Sequence, residues 1–286
     1  MSRRTRIRQG GFTLTEAIVV VALTGIIASS VAVFIRASVQ GYFDSTRRAQ
    51  LTDLADTALR RVVGDLRLAL PNSVRITSTG GGVYLEFLLT KGAGRYRADV
   101  DRNGAGDALE FDIAGSPFRF DVLGPMPTTP VMTGDMVAVH NLGPGSGASD
   151  AYRGAAGNLR AVSAVSGNTI TLSPEAVFPL PSPVSHFHVV EHAVSYVCTP
   201  NPADPASGQL RRHWAYPLSA NQPTSFASGS HALLADGVAG CSIEYEPNAV
   251  AMRNGVVVLA LTLVQPGSGS SETVTLVQEA HVSNVP

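Results

Sequence analysis

From Ala17 to Ile35 no side chain carries a charge, and Arg36 closes the run. At about 1.5 Å per helical residue, nineteen residues span a hydrocarbon layer of about 30 Å. Beyond it the pattern changes. Leu51, Leu54, Ala55, Ala58, Leu59, Val62, Val63, Leu66 and Leu70 recur at steps of three and four, the spacing of one apolar stripe on a helix. Asp44 with Arg48 and Asp56 with Arg60 stand four apart with the acid first, the favourable order on an exposed helical face. Pro71-Asn72 is a stop. The pattern therefore predicts one helix over 12–70, apolar all round in its first half and amphipathic in its second, with Gly25, Gly41 and Gly64 as local weak points.

After Pro71 the apolar runs shorten to strand length. Val83–Leu88, Ala108–Ile113, Phe118–Leu123, Met136–Asn141, Thr169–Leu172, His186–Glu191, Val194–Cys198, Gln209–Tyr216, Cys241–Glu246, Val256–Val264 and Thr273–Glu279 are rich in β-branched or aromatic residues and bounded by Gly, Pro, Asn or Ser. Gly143–Gly147 and Gly267–Ser271 read as flexible loops. No repeat and no clean linker breaks this stretch, so the expected class is α+β, a long N-terminal helix packed on one β-rich head. The expected divisions are 1–11, a helix half at 12–41, a second half at 42–71, and the head at 72–286.

Composition narrows the function. With 286 residues, 44% hydrophobic and 15% charged, the chain is too apolar to be disordered, and a net charge of -1 offers no basic excess for nucleic acid. The charge is uneven: Arg3, Arg4, Arg6 and Arg8 precede every acid, whereas the chain from Phe12 onward holds 17 basic and 22 acidic residues. By the positive-inside rule the arginines stay in the cytoplasm and the body is exported. Glu16 then stands out, because a carboxylate at the edge of an apolar span is costly without a partner.

Cleavage between Gly11 and Phe12 would supply one, since Phe12 becomes a new α-amino terminus and Glu16 the fifth residue of the mature chain. Gly10-Gly11-Phe12-Thr13-Leu14-Thr15-Glu16, with a basic segment before it and an apolar helix after it, resembles the class III leader of type IV prepilins and pseudopilins. The resemblance implies cutting after Gly11 by a prepilin peptidase, N-methylation of Phe12, and pairing of Glu16 with the terminal amine of a neighbouring subunit. It implies a single-pass inner-membrane protein with a periplasmic head, later packed into a pilus or pseudopilus. Its partners would be other major and minor pilins, the prepilin peptidase/methyltransferase and the inner-membrane assembly platform, with no nucleic acid. The alternative is a simple anchor whose Glu16 snorkels to the headgroups.

The hairpin-like Val194–Cys198 and Gly208–Trp214, with Gly255–Leu263 and Val274–Pro286, is similar to the PilW and type II secretion J groups of minor pilins. The overall order most resembles the biogenesis protein O group of mannose-sensitive haemagglutinin (MSHA) pili. A structural, assembly-priming minor pilin is the expected function, without catalysis. The competing readings are a type II secretion minor pseudopilin, a membrane-anchored β module that binds sugar or peptide, and an exported hydrolase.

Cys198 and Cys241 are the only cysteines, and export to an oxidising compartment favours a disulfide over two buried thiols. Asp99, Asp101, Asn103, Asp107 and Glu110, with Gly104 at the turn, match a twelve-residue calcium loop. No amphipathic helix flanks it and Gly106 replaces the usual apolar residue, so a solvated acidic turn competes with Ca²⁺, the one cofactor suggested. His186, His188 and His192 share strand parity and need no ligand. Gly143-Pro144-Gly145-Ser146-Gly147 opens no helix, so it makes a poor dinucleotide site. No nucleophile elbow, H-E-x-x-H or C-x-x-C is present.

Overall fold

Thr13 opens helix α1, Leu14–Leu66, by capping it. The computed structural model describes residues 11–111, 118–173, 177–250, 254–266 and 271–286. Two compact units share the chain, residues 1–49 and residues 50–286, and α1 contributes to both.

The helix ends four residues before the predicted stop. The amide of Leu68 bonds to Asp65 O and that of Ala69 to Leu66 O, tightening the last turn, and the amide of Leu70 then donates to Leu88 O at 2.8 Å. Ala69 and Leu89 form an isolated β-bridge. The final turn is thus exchanged for pairing with a strand, which satisfies the same backbone groups.

Among the described residues every strand pairing in the head is antiparallel. Nine strands make the larger sheet: β1 (Arg75–Thr79), β2 (Gly82–Tyr96), β3 (Arg119–Leu123), β4 (Met136–Ala138), β5 (Leu159–Ser166), β6 (Thr169–Ser173), β7 (His186–Thr199), β8 (Gln209–Trp214) and β9 (Ser230–Asp236). Their order is β1-β2-β3-β6-β5-β4-β7-β8-β9, and β2 also pairs with β7. That extra pairing closes β2, β3, β6, β5, β4 and β7 into a ring, a small barrel with β1, β8 and β9 as flanking strands. Its interior is aromatic: Phe120 lies edge-on to Phe187 at 5.1 Å and to Tyr96 at 6.4 Å. A second sheet holds β10 (Val238–Val250), β11 (Asn254–Gln265) and β12 (Glu272–Ser283) in sequential order.

Both sheets bury residues against the second half of the helix. Leu51, Ala55, Leu59, Val62 and Leu66 share one core with Leu85, Phe87 and Tyr196 of the large sheet and with Val257, Leu259 and Leu261 of the small one. The stripe at steps of three and four is therefore the buried face. The Cys198–Cys241 disulfide ties β7 to β10, so it staples the two sheets covalently.

Several expectations need correction. His186–Glu191 and Val194–Cys198 are one strand, β7, interrupted by register shifts against β2 near Thr90. The described part of Ala108–Ile113 forms no strand; its Leu109 amide donates to Arg97 O, outside any strand. Strands β1, β5 and β9 arise where no strand was expected. Residues 1–10 of the leader and 267–270 of the second glycine loop lie outside the described residues.

Candidate functional site

Thr13-Leu14-Thr15-Glu16 has the T-x-x-E spacing of a capping box, in which the first side chain satisfies an orphan helical amide. The Glu16 amide donates to Thr13 Oγ1 at 3.3 Å, and Thr13 Oγ1 lies 3.5 Å from Glu16 Oε2. Glu16 also places negative charge in the first turn, where the helix dipole favours it. Among the described residues, the Thr13 hydroxyl is the group its carboxylate touches, and the side chain is exposed. The carboxylate therefore remains open to a cation from outside the chain.

Upstream, Gly11 is exposed, and a Cβ added there would meet no atom within 4 Å. Nothing in this fold demands glycine at that position, so any demand comes from what acts on the chain. Phe12 is 76% exposed.

Downstream, the helix lacks a polar face. Val19, Val20 and Val21 are all exposed, as are Ile26 with Ile27 and Val33 with Phe34 and Ile35, so consecutive apolar residues cover every side. A helix apolar all round is stable only inside a membrane or a bundle. Its few hydroxyls are already satisfied: Thr24 Oγ1 donates to Val20 O at 2.7 Å, Ser30 Oγ to Ile26 O at 3.0 Å and Ser38 Oγ to Phe34 O at 3.1 Å. Such back-bonding lets polar residues sit in hydrocarbon without unpaired groups. The helix is long and apolar enough to cross a membrane.

In the head, a carboxylate breaks the buried stripe of α1. Asp65 is 6% exposed, and its Oδ2 accepts from Arg212 Nε at 2.7 Å and from the Tyr196 hydroxyl at 2.7 Å. Burial, then the charge of Asp65, raises the Tyr196 phenol above its ordinary value. A second buried set joins Glu86 to Arg75 at 2.7 Å and to the Tyr216 hydroxyl at 2.9 Å, with Ser195 Oγ 2.6 Å from that hydroxyl. Burial raises the Glu86 carboxyl despite the opposing pull of Arg75. Both sets are enclosed, which suits them to holding strands together rather than meeting a substrate.

The loop of Asp99–Glu110 is held by bonds within it and to β3. Asp101 Oδ1 accepts the amides of Asn103 and Ala105 at 2.8 Å each, and Asp107 pairs with Arg119 at 2.9 Å. Of Asp99, Asp101, Asn103, Asp107 and Glu110, Asp101 and Asn103 are joined within the loop, and among the described residues no group of three or more His, Cys, Asp or Glu converges as metal ligands. His186 and His188 lie on one side of β7, while His192 falls beyond the irregularity, near Asp65 and Arg212. Gly143, Gly145 and Gly147 all take positive φ and form a turn, with the Gly145 amide donating to Asp150.

Sequence reasoning missed the capping role of Thr13, although the T-x-x-E spacing displays it. It also missed Asp65, whose signal was an acid inside the apolar stripe. Residues 6–32 match the family model for the prokaryotic N-terminal methylation motif. No curated protein and no solved structure matches the chain. The chain thus carries a prepilin-type N-terminal methylation motif at the start of a long helix that a β-rich head follows.

Proposed function

We propose that the chain is a minor pilin or pseudopilin that acts structurally, priming or capping assembly of a type IV filament of the MSHA-like kind its head sequence resembles. The observation that carries this is the methylation motif at residues 6–32, set on the first part of a helix that is exposed and apolar on every side there. Cutting after Gly11 leaves a positive amine on Phe12. Within a bundle of such helices that amine and the Glu16 carboxylate of a neighbour are each costly alone, and they offset each other when the subunits are correctly staggered. The pairing sets the register, and the apolar surfaces provide the adhesion. The head lies in the periplasm before assembly and then on the filament surface, where it meets other pilins.

Mass measurement of the N-terminal peptide from protein purified out of native membranes tests the reading. The expected product lacks residues 1–11 and carries one added methyl group on Phe12. A chain that still begins at Met1 would refute it. Co-purification with the other minor pilins of one filament system, and not with secretion pseudopilins, is the result expected for the MSHA-like assignment.

A further inference from the structure

Strands β8 and β9 pair so that His213 and His231 stand directly opposite each other. Opposed residues on antiparallel strands have Cβ atoms about 4.5–5.5 Å apart, and the two ring centroids are 5.6 Å apart. The His213 ring is stacked on Phe226 at 4.3 Å with 16° between planes, and Tyr216 holds Phe226 edge-on at 4.9 Å. Stacking fixes the plane of the His213 imidazole. Gly229 permits the approach: its φ is +91°, and a Cβ there would fall 2.6 Å from Trp214 O. The chain can thus turn tightly into β9 and bring His231 across from His213. Both rings, with Arg211, Phe226 and Ser228, line an open cleft of about 390 Å³. Neither imidazole has a hydrogen-bond partner among the described residues.

We infer that His213 and His231 form a two-imidazole site for a transition-metal dication of the copper, nickel and zinc class. Metal–nitrogen bonds of about 2.0–2.1 Å place an ion about 3.2 Å from each ring centre, so two rings sharing one ion have centroids about 5–6 Å apart. The observed centroid spacing of 5.6 Å falls within that range. No third His, Cys, Asp or Glu joins the pair among the described residues, so water or an incoming donor takes the remaining positions. Imidazole selects these metals over Ca²⁺ and Mg²⁺, which want oxygen. Arg211 in the same cleft repels a cation and holds the affinity to a modest level, so loss of either ring is decisive.

The test is calorimetric titration of the full-length protein, without a polyhistidine tag and in detergent micelles, with Cu²⁺, Ni²⁺, Zn²⁺ and Ca²⁺ separately. One equivalent is expected to bind, Cu²⁺ most tightly and Ca²⁺ not at all. His231→Gln, at an exposed position, should weaken binding at least about tenfold and leave the metal-free melting temperature unchanged. His213→Gln should do the same to binding, and Phe226→Leu should weaken it with both rings retained. His281→Gln, on the far sheet, should change nothing. Absence of saturable binding up to millimolar Cu²⁺ would overturn the inference. So would one-equivalent binding that survives His231→Gln, or binding lost instead with His186→Gln, which would place the metal on β7.

Discussion

Asp65 shows how much a single buried charge decides. It interrupts the apolar face that α1 presents to the head, and Arg212 and Tyr196 compensate it at 2.7 Å each, with Arg61 at 3.4 Å from the other oxygen. Arg212→Met removes the principal partner and leaves the carboxylate in a dry site, where loss of one member of a buried pair costs about 3–5 kcal/mol. The double variant Asp65→Leu with Arg212→Met should recover most of that, because no charge is then stranded. Urea unfolding of the three proteins measures the difference, and a double variant as weak as the single would refute the pairing. His188 makes a pH-dependent contribution. Burial, then His186, holds its imidazole down from 6.5 to about 4. Above pH 6.5 both folded and unfolded chains keep it neutral, so its full contribution is present. As pH falls from 6.5 towards 4, the unfolded chain takes up a proton that the folded chain resists, and stability declines by at most about 3 kcal/mol. His188→Gln should flatten the urea midpoint over that window and leave its value near pH 8 little changed.

The disulfide belongs to the scale of elements, because it joins strands of two different sheets, β7 and β10. Closing a loop of 43 residues stabilises a fold by about 4 kcal/mol in the chain-entropy account. Cys198→Ser with Cys241→Ser should lower the unfolding free energy by about that amount, read by urea titration, with loss concentrated in hydrogen-exchange protection of β10–β12. Equal protection in both sheets would mean that the shared core alone couples them. The same scale shows what was legible in advance. Helix α1 declared itself because its apolar stripe and its uncharged run are local patterns. β11 did so because Val256–Val264 is a dense β-branched run. β5, with the sequence Leu-Arg-Ala-Val-Ser-Ala-Val-Ser, and β9, with Ser-His-Ala-Leu-Leu-Ala-Asp, are poor in those residues, and they are strands because neighbours pair with them. β7 looked like two strands because Glu191 and His192 interrupt its apolar run where the register against β2 shifts. Barrel closure was invisible, since it depends on contacts as distant as Arg95 with Leu123 and Val137 with Val189. The candidate site was the reverse case: Gly11, Phe12 and Glu16 are neighbours in sequence, so the roles proposed for them rest on the motif at residues 6–32 and not on the fold.

At the scale of the whole molecule, Glu16 has two duties that a single substitution can confuse. Inside one chain its amide is capped by the Thr13 hydroxyl and its carboxylate lies 3.5 Å from that hydroxyl; between chains, on the proposed reading, it neutralises the amine of Phe12. Glu16→Ala removes both. Glu16→Gln separates them, because glutamine serves in a capping box as glutamate does and carries no charge. The Glu16→Gln chain should fold, enter the membrane and be cut after Gly11, since neither the apolar helix nor the glycine has changed. It should fail to appear in sheared filaments, because an uncompensated amine in an apolar bundle costs far more than the amide returns. Thr13→Ala is the complement: it should cost about 1 kcal/mol at the cap and leave incorporation intact. Immunoblots of sheared and membrane fractions, with the mass of the mature N-terminus, distinguish the two. If Glu16→Gln reaches filaments at the wild-type level and Thr13→Ala does not, the capping box governs assembly and the intermolecular charge pair is wrong.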